Sequence, residues 1–386
     1  MKIVFVSNYF NHHQSTLSEI LVKQTGGDYR FVATSEMRQE RRDLGYGMDA
    51  MPDYVLSAHR GDKTLAEEAI GSADAVIVGS APEELVQPRI RHGKLTFRYT
   101  ERLLKKKGGF KQWLKWWLVL HRRNPAGKPI YLLCAGAYVA ADYAKFGMFK
   151  NRAYQWGYFP KTVVYPDVDA LLEKKEKHEI LWVGRLIDWK HPEHALAVAK
   201  GLKASGMEFR LNIIGSGVME SELAQQIKAE GLEDCVFLLG SMKPEAVRTH
   251  MERASIFIAT SDRQEGWGAV INEAMNSGCA VVASHGMGAA VTMIENGKNG
   301  LIYDSGNVDM LLQQVMELLQ NDETRATMGA KAYESIASLW NAEVAGQRLC
   351  RLTERILAGE QSPVLYETGP CSPAKIISDK YNGEQV

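Results

Sequence analysis

The chain of 386 residues lacks several features that mark particular classes of protein. Its five cysteines are scattered and form no Cys-x-x-Cys pair, so we expect neither a disulfide framework nor a zinc site. Its 46 Lys and Arg residues balance 46 Asp and Glu residues, which gives no reason to expect a nucleic-acid partner. No run reaches about 18 apolar residues, and the start, MKIVFVSNYFNHHQ, is unlike a signal peptide. We therefore expect a cytoplasmic protein.

Short β-rich runs alternate with helical patterns along most of the chain. They are KIVFV, YRFVA, DAVIVGS, KLTFRYT and KPIYLLC, followed by HEILWVGRL, FRLNIIGSG, CVFLLG, SIFIATS and CAVVAS. Strands that alternate with helices are typical of βαβ units and parallel sheets. We therefore predict an α/β protein with two Rossmann-like, doubly wound domains that face each other across a cleft.

The composition suggests where these domains begin and end. The first series of strands predicts a domain over 1–160, and the second series predicts another over 178–338. Between them, 161–177 mixes prolines with charges and is interpreted as a linker. An amphipathic helix is predicted at 339–358, and the tail at 359–386 shows no regular pattern.

Residues 265–278, EGWGAVINEAMNSG, place two glutamates, Glu265 and Glu273, around a glycine-rich turn. The strand pattern before this segment puts Glu265 at a carboxyl end, where open α/β sheets bind ligands. The first turn of the following helix offers N–H groups to an anion, and the glycines let a ligand approach them. Carboxylates accept hydrogen bonds from sugar hydroxyls. The plainer alternative is a helix cap followed by a surface acid.

The loop after the strand pattern EILWV carries Arg185 and Lys190. These cations could clamp a diphosphate, with the Arg side chain as a fork and the Lys side chain as a point charge. Two solvated surface charges are the alternative. A further loop contains Gly215 and Gly217, but Glu220 stands where a dinucleotide fingerprint has its third glycine. This loop therefore gives little support for nicotinamide binding.

These motifs follow the order found in a known family. Over roughly 178–340, GR-x4-K, GSG, VFLLGSM, EGWGAVINEAMNSGCAVVAS and NGKNGLIYD resemble the family-4 glycosyltransferases, retaining enzymes of the GT-B fold. The resemblance implies sugar transfer from a UDP- or GDP-linked donor to an acceptor hydroxyl, with neither metal nor cofactor. It also implies that the first domain serves the acceptor and that the helix at 339–358 crosses back onto that domain. Cell-envelope polysaccharide or glycolipid assembly is the expected process.

The resemblance further implies roles for individual residues. Glu265 would hold hydroxyls of the donor sugar, Glu273 would bind the ribose, and Arg185 and Lys190 would stabilise the leaving diphosphate. Glu265, Arg185 and Lys190 are thus the predicted catalytic residues. The other predicted donor-binding residues are Gly266, Trp267, Gly268, Ala269 and Val270 in the turn, and Gly215, Gly217 and Met242 in neighbouring loops.

The first domain departs from the family pattern in two places. After the first strand, SNYFNHHQS has no glycine, and the histidine usual in this domain is not evident. Asn11 and His12, which would begin a helix, are predicted on the acceptor side, although helix capping by Asn11 is equally compatible with the pattern. Arg98 and Glu101 in LTFRYTERLL are the predicted substitutes for the missing histidine.

Two departures from the family pattern in the second domain are local: Trp267 replaces the usual Phe, and His191 replaces the usual Gly.

Retention would follow from front-face attack, in which the leaving phosphate oxygen takes the proton of the acceptor. The Asp-x-Asp string at 167–169 lies in the predicted linker and not at a strand end, so we expect no metal there.

The segment 105–123 combines basic residues with aromatic residues at helical spacing. From Arg98 to Arg123, both included, there are nine Lys or Arg residues and one acid, Glu101. A basic amphipathic helix with tryptophan is typical of a membrane-surface element, so we predict peripheral contact with the inner face of the membrane. A helix that packs its aromatic residues on its own core is the alternative.

Three other functions are compared with sugar transfer. A dehydrogenase would need G-x-G-x-x-G after the first strand, which is absent. A sugar-nucleotide epimerase on the same fold and a non-catalytic nucleotide-sugar-binding protein are the other two. Arg185, Lys190 and Glu265 favour a transferase over the binding protein, because a protein that only binds has no need for a leaving-group clamp.

Overall fold

The structure, a computed structural model, describes residues 1–37, 39, 47, 50–105 and 109–379. The chain divides into two compact units, 1–161 with 341–379 and 162–340. In the part of the chain that is described, no helix has the length and apolar character needed to span a bilayer. All five cysteines are buried, and none is in a disulfide bond.

The described residues of the first unit form a seven-stranded parallel sheet. The strands are β1 (Ile3–Ser7), β2 (Tyr29–Ala33), β3 (Val55–Ser57), β4 (Ala75–Val78), β5 (Leu95–Thr100), β6 (Ile130–Ala135) and β7 (Ala153–Trp156). Their order is β3-β2-β1-β4-β5-β6-β7. Central strands such as β1 and β4 are buried along their whole length, as expected where helices cover both faces.

Helices alternate with these strands. They are α1 (His12–Gln24), α2 (Lys63–Ser72), α3 (Glu83–Arg91), α4 (Phe110–Arg123) and α5 (Val139–Ala144). Helix α4 lies inside the segment predicted to meet a membrane, of which residues 106–108 are outside the described residues. Leu120 is the one fully buried side chain of α4.

The second unit repeats this topology with a six-stranded parallel sheet. Among the described residues its strands are β8 (Glu176–Val183), β9 (Arg210–Ile214), β10 (Val236–Leu238), β11 (Ala254–Ala259), β12 (Ala280–Ser284) and β13 (Leu301–Tyr303). Their order is β10-β9-β8-β11-β12-β13. The helices are α6 (Val168–Glu173), α7 (Pro192–Ala204), α8 (Glu220–Ala229), α9 (Pro244–Arg253), α10 (Val270–Asn276), α11 (Gly288–Met293), α12 (Val308–Gln320) and α13 (Asp322–Ser338).

The two doubly wound sheets confirm the predicted fold class, but the strand prediction is incomplete. It omits β3, β7 and β13, each of three or four residues at the edge of its sheet. Such short segments carry too few residues for a period to show.

The segment interpreted as a linker, 161–177, contains a helix instead. Helix α6 begins there because Asp167 accepts a hydrogen bond from the backbone N–H of Ala170. The structure assigns this segment to the second unit from Thr162 onward. Asp167 of the Asp-x-Asp string is therefore engaged as a helix cap.

The last helix, α14 (Ala342–Leu357), belongs to the first unit and packs on α1. Gly346 allows this contact, since a Cβ there would lie 2.6 Å from Cγ2 of Ile20. The tail after α14 has no helix among its described residues, and it follows the edge strand β7. Gln155 exchanges backbone hydrogen bonds with Cys371 and Ser372, of 2.8 and 2.7 Å. The tail therefore covers an edge that would otherwise be open.

Candidate functional site

The predicted donor-binding residues of the second unit meet at the carboxyl edge of its sheet. Strand order reverses between β8 and β11, the switch point at which doubly wound sheets bind ligands. The loop after β8 carries Arg185 and Lys190, and the loop after β11 carries Glu265. Because the two strands are hydrogen-bonded neighbours, these loops lie side by side.

Lys190 and Glu265 form an ion pair through the ammonium nitrogen and Oε2. The side chains are 15% and 19% exposed, so each remains open to a ligand on one side. The predicted diphosphate contact and the predicted sugar contact are therefore adjacent. The sequence did not indicate that they pair with each other.

Hydrogen bonds hold the two loops together beneath this pair. The hydroxyl of Thr260 donates to the carbonyl of Lys190 at 2.6 Å and accepts from the indole N–H of Trp182 at 2.7 Å. The backbone N–H of Asp262 donates to the carbonyl of Trp189 at 2.9 Å. Trp182 and Thr260 are buried, so these bonds are shielded from water.

Gly215 and Gly217 let two loops approach at backbone distance. A Cβ on Gly215, whose φ is +146°, would lie 1.8 Å from the carbonyl oxygen of Gly184, and one on Gly217 would lie 2.3 Å from that of Leu186. The backbone N–H of Leu186 also donates to the carbonyl of Ser216 at 2.9 Å. The glycine loop thus supports the loop that carries Arg185 and Lys190.

The next loop along the sheet, after β10, packs on this glycine loop. Gly240 accepts a backbone hydrogen bond of 2.9 Å from Gly215, and the hydroxyls of Ser216 and Ser241 are 2.7 Å apart. Met242 follows in the same loop and is partly exposed. The structure therefore places Met242 on the edge where the other predicted donor-binding residues lie.

The turn at 266–270 leads into α10, which begins at Val270. Gly268 has a φ of +95°, and a Cβ there would lie 2.5 Å from Cε of Met287. The Trp267 side chain is fully buried and donates its indole N–H to Oδ1 of Asn272 at 2.8 Å. The indole ring is therefore not available to a ligand, and the donor contacts predicted for Gly266, Trp267, Gly268 and Ala269 rest on their backbone.

Glu273 lies in α10 and is partly exposed. Burial raises the pKa of its carboxyl, and the nearby Arg248 guanidinium lowers the pKa by a smaller amount. The neighbouring residues Asn272 and Asn276 are buried, and Asn276 bonds to the backbone of Val163.

Arg185 is exposed, and its guanidinium lies over the ring of Trp189 at 5.4 Å from the centroid. Cation–π contact orients the guanidinium while leaving its N–H donors available. Arg185 and Lys190 thus lie in one loop but make different contacts, because Arg185 lies over the Trp189 ring and Lys190 forms an ion pair with Glu265.

His191, Glu193 and His194 form a polar cluster beside Lys190. Nδ1 of His191 and Oε1 of Glu193 are 2.7 Å apart, so this ring nitrogen carries the proton that the carboxylate accepts. Glu193 first, and Asp262 to a smaller extent, raises the pKa of His191. Burial, and then the neighbouring His191, lower the pKa of His194.

The ligand atoms of this cluster lie within 4.8 Å of one another, the arrangement closest to a metal site among the described residues. Nδ1 of His191 donates to Glu193, and the other ring nitrogen, Nε2, faces Asp262. We describe the group as a hydrogen-bonded cluster.

In the first unit, Asn11 and His12 follow β1, beside the switch point between β1 and β4. Asn11 is buried and caps α1, because its side chain accepts from the backbone N–H of His13 at 2.9 Å. The rings of His12 and His13 lie 4.1 Å apart. Of the two predicted residues, Asn11 therefore serves as the helix cap, and His12 is the first residue of the helix.

Arg98 does not fit the acceptor role predicted for it. It is buried and makes a bidentate pair with the carboxylate of Glu83, with both distances 3.0 Å. Its Nε donates to Asn124 at 2.8 Å, and Nη2 also donates to the carbonyl of Arg123. The guanidinium therefore joins α3 to the end of α4, and its donors are directed into the unit.

Glu101, by contrast, lies just past the carboxyl end of β5 and is partly exposed. It accepts hydrogen bonds from the hydroxyl of Tyr158 at 3.0 Å and from the ammonium of Lys105 at 2.7 Å. These partners orient a carboxylate at the ligand edge of the sheet. Glu101 thus remains a candidate on the acceptor side.

Sequence reasoning missed Thr260, Asp262 and Trp182, and it treated His191 as a minor departure. Thr260, Asp262 and Trp182 lie outside the glycine-rich and basic motifs that the sequence analysis identified. Asp262 and Thr260 stand directly after β11, so their position after a predicted strand was the available clue.

Comparison with known proteins places the similarity mainly in the second unit. Residues 166–335 match the profile of the family described as Glycosyl transferases group 1. The chain is 29% identical to the amylovoran biosynthesis glycosyltransferase AmsK of Erwinia amylovora over 182 residues, which is 46% of this chain and 44% of AmsK. It is 27% identical to the poly(glycerol-phosphate) alpha-glucosyltransferase of Bacillus subtilis over 191 residues, 49% of this chain and 28% of that protein. The chain thus matches less than half the length of either relative.

The fold is similar to solved structures over nearly the whole chain. Alr3699/HepE of Anabaena, crystallised with UDP and glucose, superposes with a TM-score of 0.63 at 15% identity, over 92% of this chain and 99% of HepE. The two parallel-sheet Rossmann-like units are therefore those of a GT-B fold.

Proposed function

We propose that this chain is a glycosyltransferase that moves a sugar from a nucleoside diphosphate sugar to an acceptor hydroxyl. The observation that carries this proposal is the meeting of Lys190 and Glu265 at the switch point between β8 and β11. A cation for a phosphate and a carboxylate for sugar hydroxyls then stand side by side. The match to group 1 glycosyltransferases over 166–335 includes both residues.

The chemistry follows from the charges that develop. The bond between the anomeric carbon and the diphosphate oxygen breaks, which leaves positive charge on carbon and negative charge on phosphate. Lys190 and Arg185 stabilise the phosphate charge, and loss of one preorganised donor typically raises such a barrier by about 2.7–4 kcal/mol. Glu265 gives up part of its contact with Lys190 and accepts hydrogen bonds from the sugar.

Retention is the proposed stereochemical course. The acceptor oxygen attacks from the face that the diphosphate leaves, and a leaving phosphate oxygen takes the acceptor proton. Metal independence is proposed because two side-chain cations serve the diphosphate and because Asp167 caps a helix. Glu273 is proposed to hold the ribose, and the donor is proposed to be UDP- or GDP-linked.

The proposed acceptor is carried on a membrane lipid in cell-envelope polysaccharide or glycolipid assembly, at the cytoplasmic face. Support comes from α4, which exposes Phe110 by 75% and Leu118 by 56%, with Leu114 and Trp117 between them. Exposed Lys111 flanks this apolar face. Aromatic residues beside basic ones suit an anionic lipid surface, to which each basic residue contributes about 1 kcal/mol.

Labelled UDP- and GDP-sugars, incubated with the protein and a lipid-linked acceptor extract, test this function. The donors are first ranked by their effect on the melting temperature, because a ligand bound only by the folded form stabilises it. We expect labelled product with the anomeric configuration of the donor, in the presence of EDTA. An isomerised donor would support an epimerase, and binding without turnover would support a binding protein; either result contradicts the proposal.

A further inference from the structure

We propose that His191 is a positioning residue for sugar transfer: its imidazole joins the loop that carries Lys190 to the loop that carries Glu265. The inference rests on the function proposed above for this site. His191 is adjacent to Lys190 in the chain and stands between the turn Asp188–Lys190 and the start of α7.

The backbone at His191 is unusual. Its φ of 50° and ψ of 53° are left-handed, a conformation that glycine adopts freely and that Asn tolerates better than most residues. Histidine is found in this conformation more often than most side chains, but the local backbone alone would still favour glycine. The contacts of the imidazole provide a reason for a side chain at this position.

Those contacts come from two residues in the first turn of α7 and from the opposite loop. Nδ1 donates to Glu193 at 2.7 Å, and the ring stacks on His194 with centroids 4.7 Å apart. On the other side, Nε2 lies 3.6 Å from Oδ2 of Asp262, in the loop after β11; this contact is longer than a hydrogen bond and is an ion pair when both ring nitrogens carry a proton. In that form the ring is held between the two loops of the candidate site.

Asp262 continues this link to the second reactive side chain. Its carbonyl accepts the backbone N–H of Glu265 at 3.1 Å, and Oδ1 accepts that of Gln264 at 2.8 Å. Asp262 thus fixes the turn that presents Glu265, while His191 fixes the residue next to Lys190. Negative charge on the diphosphate grows as the glycosidic bond breaks, so exact placement of Lys190 matters most in the transition state.

Two substitutions at His191 distinguish the role of its side chain from the role of its backbone conformation. His191→Gly removes the imidazole and relieves the left-handed strain, and His191→Asn tolerates the same backbone while keeping a donor for Glu193. The assay is release of nucleoside diphosphate from the UDP- or GDP-sugar that raises the melting temperature most. For His191→Gly we expect a melting temperature at or above that of the wild type, kcat lower on the order of tenfold and KM changed less than kcat.

His191→Asn should recover part of the lost kcat. A glycine variant with wild-type kcat, or one whose loss lies only in KM, would overturn the proposal. An asparagine variant no faster than the glycine variant would overturn it as well, because the donor would then be irrelevant.

Asp262→Asn tests the opposite side of the link. If His191 acts through Asp262, the variant that combines His191→Gly with Asp262→Asn has a smaller fold-decrease in kcat than the product of the fold-decreases of the two single variants. Independent, multiplicative losses contradict the link. We also expect kcat to be unchanged by EDTA or by added Zn²⁺. If EDTA lowers the kcat of the wild type but not that of His191→Gly, the cluster is a metal site and the positioning role is wrong.

The wild-type measurement separates the two proposals. If the wild type turns over no nucleotide sugar, the proposed function fails and this inference fails with it. If the wild type is active and His191→Gly matches it, only the positioning role of His191 is wrong.

Discussion

The ammonium of Lys190 contacts the carboxylate of Glu265, although the two residues come from loops after different strands of the second sheet. The pair orients the ammonium before any ligand arrives. Because each side chain is mostly but not fully buried, a diphosphate can reach the cation and a sugar can reach the acid. The contact is thus compatible with both predicted roles at once.

Lys190→Ala is expected to reduce turnover of the nucleotide sugar by a factor on the order of 10²–10³, because one preorganised charge for the leaving phosphate is lost. Steady-state kinetics measure the effect. Lys200→Ala is the matched control, since Lys200 is also paired with a glutamate, Glu230, but 64% of its side chain is exposed and it lies on α7 away from the loop. Equal activity of the two variants would refute the role of Lys190.

Glu273→Gln is expected to stabilise the protein at neutral pH while weakening nucleotide binding. Burial raises the folded-state pKa of this acid above 4.5, so the charged form lowers stability at neutral pH, and this penalty disappears as pH falls to about the unfolded value. The gain in melting temperature should therefore be present at pH 7 and absent near pH 4.5. Thermal unfolding across pH, with calorimetry for UDP and GDP, measures both effects. A variant that is less stable at pH 7 would contradict the argument.

Arg98→Ala is expected to destabilise the first unit by about 1.5–3 kcal/mol, because the partly buried carboxylate of Glu83 loses its bidentate partner and keeps only Arg123 and Gln87. Urea unfolding measures the change. Arg60→Ala, which breaks an exposed pair with Glu36, should have a much smaller effect. If Arg98→Ala instead raised the KM for the acceptor with no loss of stability, the acceptor role predicted from the sequence would be restored.

Gly215→Ala is expected to cost about 1–3 kcal/mol more than Gly231→Ala. Both glycines have positive φ, but a Cβ on Gly215 meets the carbonyl of Gly184 at 1.8 Å, whereas Gly231 has nothing within 4 Å. The difference in unfolding free energy therefore reports the close approach of the two loops together with the backbone at Gly215, whose φ of +146° is less accessible to alanine than the φ of +63° at Gly231. Equal losses would contradict both contributions.

Phe110→Ser combined with Leu118→Ser is expected to reduce binding to vesicles that contain phosphatidylglycerol, because these are the most exposed apolar side chains of α4. Vesicle co-sedimentation measures the change, with phosphatidylcholine vesicles as the neutral surface. Val164→Ser removes an apolar side chain that is 74% exposed elsewhere in the chain and should leave binding unchanged. Wild-type protein that ignores anionic vesicles would contradict the proposed membrane contact.

The buried strands of both sheets are predictable because they are continuous apolar runs in the sequence. A residue that follows such a run lies at the carboxyl edge of a parallel sheet. Arg185, Lys190 and Glu265 were therefore assigned to one edge correctly. The edge strands β3, β7 and β13 were missed because they are too short to show a period.

The amino-acid sequence by itself determined the two parallel sheets, the glycine turns and the edge at which charged residues gather, because these depend on local pattern and chain direction. Only the tertiary structure decided that Lys190 pairs with Glu265, that Arg98 is directed into its own unit, that α4 exposes its apolar face and that His191 reaches Asp262. The physical reason is that each of these contacts joins or separates groups from different elements. Their distance in space follows from packing, which no local pattern records.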